Sequence, residues 1–256
     1  MKNTAPRLAQ AAENWQRCPH EALPRAFYAY NTELQQSERV VTYRLREAEA
    51  IAALTECLAR TEQPRFMIHL GLAGKKPRLV IPTVPAFQLF VQVLDGKAEG
   101  PEHHVQLEWV PNSQFGKRAA GSTESGPNAI PGASALLFAQ AWRQLPYERL
   151  ADPFTASLRE LGRRVKAYVH SEPVSRSIQA DLLGEGVKTL TVHLGAGLAV
   201  WEHPFAFRPV VEVGTNLGAD GQQPYERDMS NPENGGPDGS SYYDFSVPEP
   251  PKHPTR

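Results

Sequence analysis

The strongest constraint on this chain is that it repeats itself. Shifted by 127 positions, WQRCPHEALPRAFYA (15–29) falls on WRQLPYERLADPFTA (142–156). The identities are Ala12/Ala139, Trp15/Trp142, Pro19/Pro146, Glu21/Glu148, Leu23/Leu150, Phe27/Phe154 and Ala29/Ala156. A shift of 124 sets 41–72 on 165–196 without a gap, matching Val41/Val165, Leu58/Leu182 and His69-Leu70-Gly71 with His193-Leu194-Gly195. A shift of 120 sets AFQLFVQV (86–93) on AFRPVVEV (206–213). Offsets that fall in order are what small deletions in surface loops leave in the second copy of a duplicated unit. A repeat must be recognised before any fold is argued. The expectation is a tandem duplication, with first unit 1–94, second unit 134–213 and a pseudo-twofold arrangement of the two.

Within each copy the apolar spacing gives the same order of elements. A helix over about 6–17 recurs at 134–144, with Trp15 and Trp142 on its apolar side. Pro19 and Pro146 open a short second helix, where a missing N–H costs nothing. RVVTYRL (39–45) and RVKAYV (164–169) alternate as half-buried strands do. EAEAIAALTECLAR (47–60) places Ile51, Leu54 and Leu58 on one helical stripe. Its counterpart 171–183 carries Pro173, which is tolerated in a first turn. RFMIHLG (65–71) and TLTVHLG (189–195) read as buried strands, followed by strands near 78–81 with 198–202 and at 86–94 with 206–213. The expected fold is α+β, built from two α-α-β-α-β-β-β units with mixed sheets and helices on one face.

Between the copies, 95–133 reads as a linker with one strand, HVQLEWV (104–110), and a loop rich in Gly, Ser and Pro. The stretch 214–256 is Gly/Pro-rich, with seven acidic against three basic residues. That composition predicts a tail without a core of its own, removable from 222 onward without loss of the fold. Its aromatic segment SYYDFSVPEPP (241–251) is the part suited to dock on the body or on a partner. A net charge of −1 makes no electrostatic case for nucleic acid or membrane. No run of about 18 apolar residues is present. Two cysteines, Cys18 and Cys57, are too few for a disulfide framework, so a cytoplasmic setting is expected.

Familiar catalytic signatures fail on inspection. GLAGKK (71–76) lacks the spacing and the Ser/Thr of a phosphate loop, and HLGAGLAV (193–200) lacks the third Gly of a dinucleotide loop. No cofactor is expected. His103 and His104 are adjacent in a strand and point to opposite faces, so they cannot easily share a metal. The duplication is a sharper filter. The polar residues it repeats are Glu21/Glu148 and His69/His193. Glu at the third position of a short helix suits the unpaired N–H groups there, and the His suits a hydrogen-bonded core position beside a Gly-permitted turn. If the halves met about the pseudo-twofold, His69, His193, Glu21 and Glu148 would form a candidate metal or acid–base set. The balance points to a non-enzymatic binding or scaffold module that takes a protein partner or small ligand. A metal- or His-dependent, hydrolase-like enzyme with its site between the halves is the alternative. A nucleic-acid binder using 159–166, Lys75, Lys76, Arg78, Lys117 and Arg118 is weaker.

Overall fold

The computed structural model describes residues 5–45, 47–75, 77, 79–96, 102–111, 128–130, 132–154, 164–184, 189–197, 206–214, 241–243 and 246–249. Helix α1 (Ala5–Arg17) leads into a 3-10 helix, His20–Phe27. Pro19 sits one position earlier than expected, as the N-cap with extended backbone. A hairpin not anticipated from the sequence follows, β1 (Tyr28–Asn31) with β2 (Gln36–Arg39). Then come β3 (Thr42–Leu45), α2 (Ala48–Ala59), β4 (Pro64–Leu72), β5 (Phe87–Asp95), β6 (Glu102–Gln106) and β7 (Glu108–Val110). The rest of the chain carries α3 (Gly132–Gln144), β8 (Ala167–His170), α4 (Glu172–Leu183) and β9 (Thr189–His193). It continues through β10 (Ala196–Gly197), β11 (Ala206–Phe207), β12 (Val210–Gly214), β13 (Ser241–Tyr243) and β14 (Ser246–Glu249).

These elements make an α+β fold around two five-stranded sheets, ordered β13-β12-β9-β3-β7 and β14-β8-β4-β5-β6. Each sheet mixes strands from both halves of the chain, and every pairing among the described strands is antiparallel. Thr42 lies opposite His193 and Tyr43 opposite Val192, while Ile68 lies opposite Tyr168 and His69 opposite Ala167. Two segments serve both sheets. The chain leaves β6 on one sheet and enters β7 on the other after the single residue Leu107, and 241–249 makes the same passage from β13 to β14. Sheet edges that would otherwise be open are therefore the turning points of shared strands.

Alternation sends Phe66, Ile68 and Leu70 of β4, and Leu190, Val192 and Leu194 around β9, into one continuous core. The helices are not confined to one face. Helix α4 touches β4 of one sheet and β12 and β13 of the other, and it packs on α2 between them. Helices α1 and α3 instead cover the opposite faces, over β4 and β10. Gly71 and Gly195 make that approach possible. A Cβ on Gly71 would lie 2.8 Å from that of Ala11, and one on Gly195 2.4 Å from the Arg208 carbonyl oxygen and 2.9 Å from the Cβ of Phe138. The Gly of each His-Leu-Gly is thus a contact point for a helix, not the turn the sequence suggested.

Two further expectations change. Residues 79–81 form no strand; Pro77 and Pro82 bracket them and remove ladder donors, and their side chains face outward. The counterpart 198–202 lies outside the described residues. Within the C-terminal stretch, 241–243 and 246–249 are strands: Tyr243 is fully buried, and its hydroxyl donates to Asp181 Oδ2 at 2.6 Å. Pro248 is accommodated because β14 is the last strand of its sheet.

Candidate functional site

The two repeated histidines occupy the faces of the sheets turned away from the shared core. His193 lies on β9 between Thr42 of β3 and Glu212 of β12. Its Nδ1 is 3.2 Å from Thr42 Oγ1 and its Nε2 is 2.7 Å from Glu212 Oε2. A carboxylate only accepts here, so Nε2 carries the proton, and Nδ1 accepts from the Thr42 hydroxyl. Thr42, His193 and Glu212 are 2%, 6% and 1% exposed. One row further along, Arg44 Nε donates to Thr191 Oγ1 at 3.2 Å.

His69 has a related neighbourhood on the other sheet. Its Nε2 is 2.5 Å from Gln92 Oε1 and must donate, and Gln92 Nε2 donates to Glu102 Oε1 at 2.6 Å. Gln92 and Glu212 stand 120 apart, so a neutral amide on one sheet does the work of a carboxylate on the other. This equivalence sets an expected result. Glu212→Gln keeps an acceptor for His193 and should cost less than about 1 kcal/mol, whereas Glu212→Leu strands a buried N–H and should cost about 1–3 kcal/mol. Urea midpoints of the two variants measure the difference. Equal costs would mean that the His193–Glu212 bond contributes nothing to stability.

The four repeated polar residues are distributed as follows. His69 sits on β4 of one sheet and His193 on β9 of the other, each with its own partners. Glu21 lies in the His20–Phe27 helix and Glu148 in the 3-10 helix Tyr147–Arg149, both exposed. Among the described residues, no three His, Cys, Asp or Glu are grouped as a metal site requires. Nor is any helix among them long and apolar enough to cross a membrane.

A third polar pair, Arg39 and Arg164, heads the matched strand segments RVVTYRL and RVKAYV. Arg39 donates to the carbonyl oxygens of Trp142, Arg143 and Leu145 at the C-terminal end of α3, at 2.7–2.8 Å. Arg164 does the same at the end of α1, donating to the carbonyls of Trp15 and Cys18. A guanidinium at a helix C-terminus satisfies carbonyls that have no helical partner and meets the negative end of the dipole. Beside each Arg, the indole of the capped helix closes the contact: Trp142 Nε1 donates to Val40 O at 2.9 Å, and Trp15 Nε1 to Val165 O at 2.7 Å. These contacts match at a shift of 125, while the ungapped shift of 124 sets Val41 on Val165. The two shifts differ by one residue in the connector, where Arg46 and Glu47 precede α2 but Ser171 alone precedes α4. Arg164, part of the basic stretch 159–166, is thus engaged with the end of α1. Of the other basic residues, Lys75 is exposed, while 159–163, Lys76, Arg78, Lys117 and Arg118 lie outside the described residues.

His170 is the other residue that the sequence did not single out. It ends β8 inside the core beside Phe66, with ring centroids 5.9 Å apart, and burial lowers its pKa from 6.5 to about 4. The unfolded chain therefore takes up a proton below about pH 6.5 that the folded protein refuses until about pH 4. Stability is fully present above this window, falls as the pH drops through it, and levels off below. At about 1.4 kcal/mol per unit, the group accounts for roughly 3 kcal/mol. His170→Phe should flatten this part of the profile, read from urea midpoints at several pH values between those limits. An unchanged slope would assign the acid sensitivity elsewhere.

Comparison with family models, curated proteins and solved structures gives no match.

Proposed function

We propose that this chain is a non-enzymatic protein-binding module, built as an internal pseudo-dimer of two fused copies that together present an exposed apolar segment to a partner. The observation that carries the reading is Leu79, Val80 and Val84, which are 80%, 80% and 69% exposed. Such a run of large apolar side chains is expensive to leave in water unless something covers it. The segment is held ready: the Tyr30 N–H donates to Pro82 O at 2.8 Å, and Pro77, Pro82 and Pro85 restrict its backbone. Restriction before binding lowers the entropy lost on binding. No acidic residue occurs between Glu62 and Asp95, while Arg65, Lys75, Lys76 and Arg78 do. The partner that fits is a protein with an apolar groove edged by carboxylates.

The pseudo-dimer is supported by the strand orders. Read beside each other, β13-β12-β9-β3-β7 and β6-β5-β4-β8-β14 place corresponding strands of opposite halves at each position. The Arg39/Arg164 and Trp15/Trp142 contacts support it as well. For the binding role, the test is a photo-crosslinking residue at position 79 of the full-length chain in its own cells. A discrete adduct that Val80→Asp with Val84→Asp abolishes, without a change in melting temperature, is expected. No adduct beyond that from a probe at Leu183, also exposed, would defeat the reading.

A second reading, an acid–base enzyme, draws on the hydroxyl–imidazole–carboxylate order of Thr42, His193 and Glu212, the order that activates a nucleophile. The burial of all three supports the structural role over it, because a substrate has no approach to the Thr42 hydroxyl.

A further inference from the structure

A cleft of about 370 Å³ opens where β4 begins and β8 ends. Gln63, Pro64 and Arg65 line it from one side, Gly96 from another, and Val169, His170, Ser171 and Glu172 from the turn into α4. Among the described residues, the polar groups around it are short of partners. His170 is 2% exposed, and neither ring nitrogen has a hydrogen-bond partner. A buried polar group in that condition costs about 1–3 kcal/mol and calls for an explanation, such as a ligand that completes it. Ser171 is the N-cap of α4, yet its hydroxyl makes no capping bond to the first turn. Pro173 supplies no N–H and the Ser175 N–H is bonded to Ser171 O, so this twelve-residue helix brings to the cleft the first-turn amides of Glu172 and Val174 and the positive end of its dipole. No described residue bonds or pairs with the Arg65 guanidinium at the rim. Glu172, the acidic member of the lining, is held by Arg176 at 2.8 Å, which offsets its charge.

We propose that this cleft binds the oxyanion head of a small molecule, a carboxylate or phosphate group. Arg65 and the Ser171 hydroxyl, with the first-turn amides of α4, meet the anion, and the His170 N–H is the inner donor. Pro64, Gly96 and Val169 make an uncharged wall for the body of the ligand. The volume is at the lower end of the range for small-molecule sites, about 300–1,000 Å³. This site is separate from the 79–84 segment, so success or failure here leaves the protein-partner reading untouched.

The test titrates inorganic phosphate, and separately acetate, into the full-length protein against sodium chloride of equal ionic strength, following backbone amide resonances. Saturable shifts at 63–65, 96 and 169–174 with either anion are expected, and the anion that saturates at lower concentration identifies the head group. Arg65→Met and Ser171→Ala should each weaken binding about tenfold, the loss of one charge-assisted contact. His170→Phe should weaken it with melting temperature maintained, because it replaces an unsatisfied ring by an apolar one. Shifts no different from those in chloride overturn the proposal. So does saturable binding that survives all three substitutions.

Discussion

Trp15→Ala and Trp142→Ala should each destabilise the protein by about 3–5 kcal/mol, the range for large aromatic truncations in a core. Both indoles are fully buried. Trp15 meets Phe87 and Phe154 at centroid distances of 5.4 and 5.1 Å, and Trp142 meets Phe27 and Phe207 at 5.2 and 5.7 Å. Each also donates to a backbone carbonyl in the other half of the chain, so truncation leaves a cavity and a carbonyl without its donor. Phe27 and Phe154 touch both indoles. The double variant should therefore depart from additivity. With ordinary stability near 5–15 kcal/mol, it should be largely unfolded. Urea denaturation followed by far-UV circular dichroism measures all three variants. Single variants that cost less than about 1 kcal/mol would show that the aromatic cluster does not join the two halves.

Truncation after Gly239 should be as damaging, contrary to what the composition of 214–256 implies. It removes β13 and β14, one strand from each sheet, and exposes the ladders of β12 and β8. It also removes Tyr243 from the core, the Tyr243–Asp181 bond, and the Ile130 N–H to Tyr242 O bond of 2.7 Å. A loss of at least about 3 kcal/mol would lower the melting temperature by about 10 °C for a chain of this size. Bare strand edges would also promote aggregation. Tyr243→Ala in the full chain isolates the side-chain part of the effect. A truncated protein that melts within about 2 °C of the full chain would mean that these strands are dispensable.

The helices were legible because a stripe such as Ile51, Leu54 and Leu58 is a local signal, and so were β4 and β5, whose apolar runs are long. What could not be read was which strand lies beside which. Thr42 opposite His193 is set by packing between segments some 150 residues apart, and the alternation of β3 is equally compatible with any apolar neighbour. The C-terminal strands were obscured because Gly and Pro averaged over 43 residues outweighed SYY and SVPE. Arg39 and Arg164 stood at the head of matched segments, but the helix ends they cap lie more than 100 residues away in the chain and left no local signal. His170 carried no local signature at all, since its significance lies in its ring having no hydrogen-bond partner among the described residues. For His69 and His193 a hydrogen-bonded core position was expected; the structure puts both on the sheet faces turned away from the shared core, one bonded to a carboxylate and the other to an amide.

The exchange of strands between halves has a consequence for synthesis. When residue 110 has left the ribosome, β3 still awaits β9 on the side away from β7, and β4 still awaits β8 on the side away from β5. The first sheet cannot be finished until Tyr243 has emerged with β13, nor the second until Glu249 has emerged with β14. The first half must therefore spend the translation of the second with its strand edges bare. A chain assembled in this way depends on rapid completion, or on a chaperone that covers those edges during elongation.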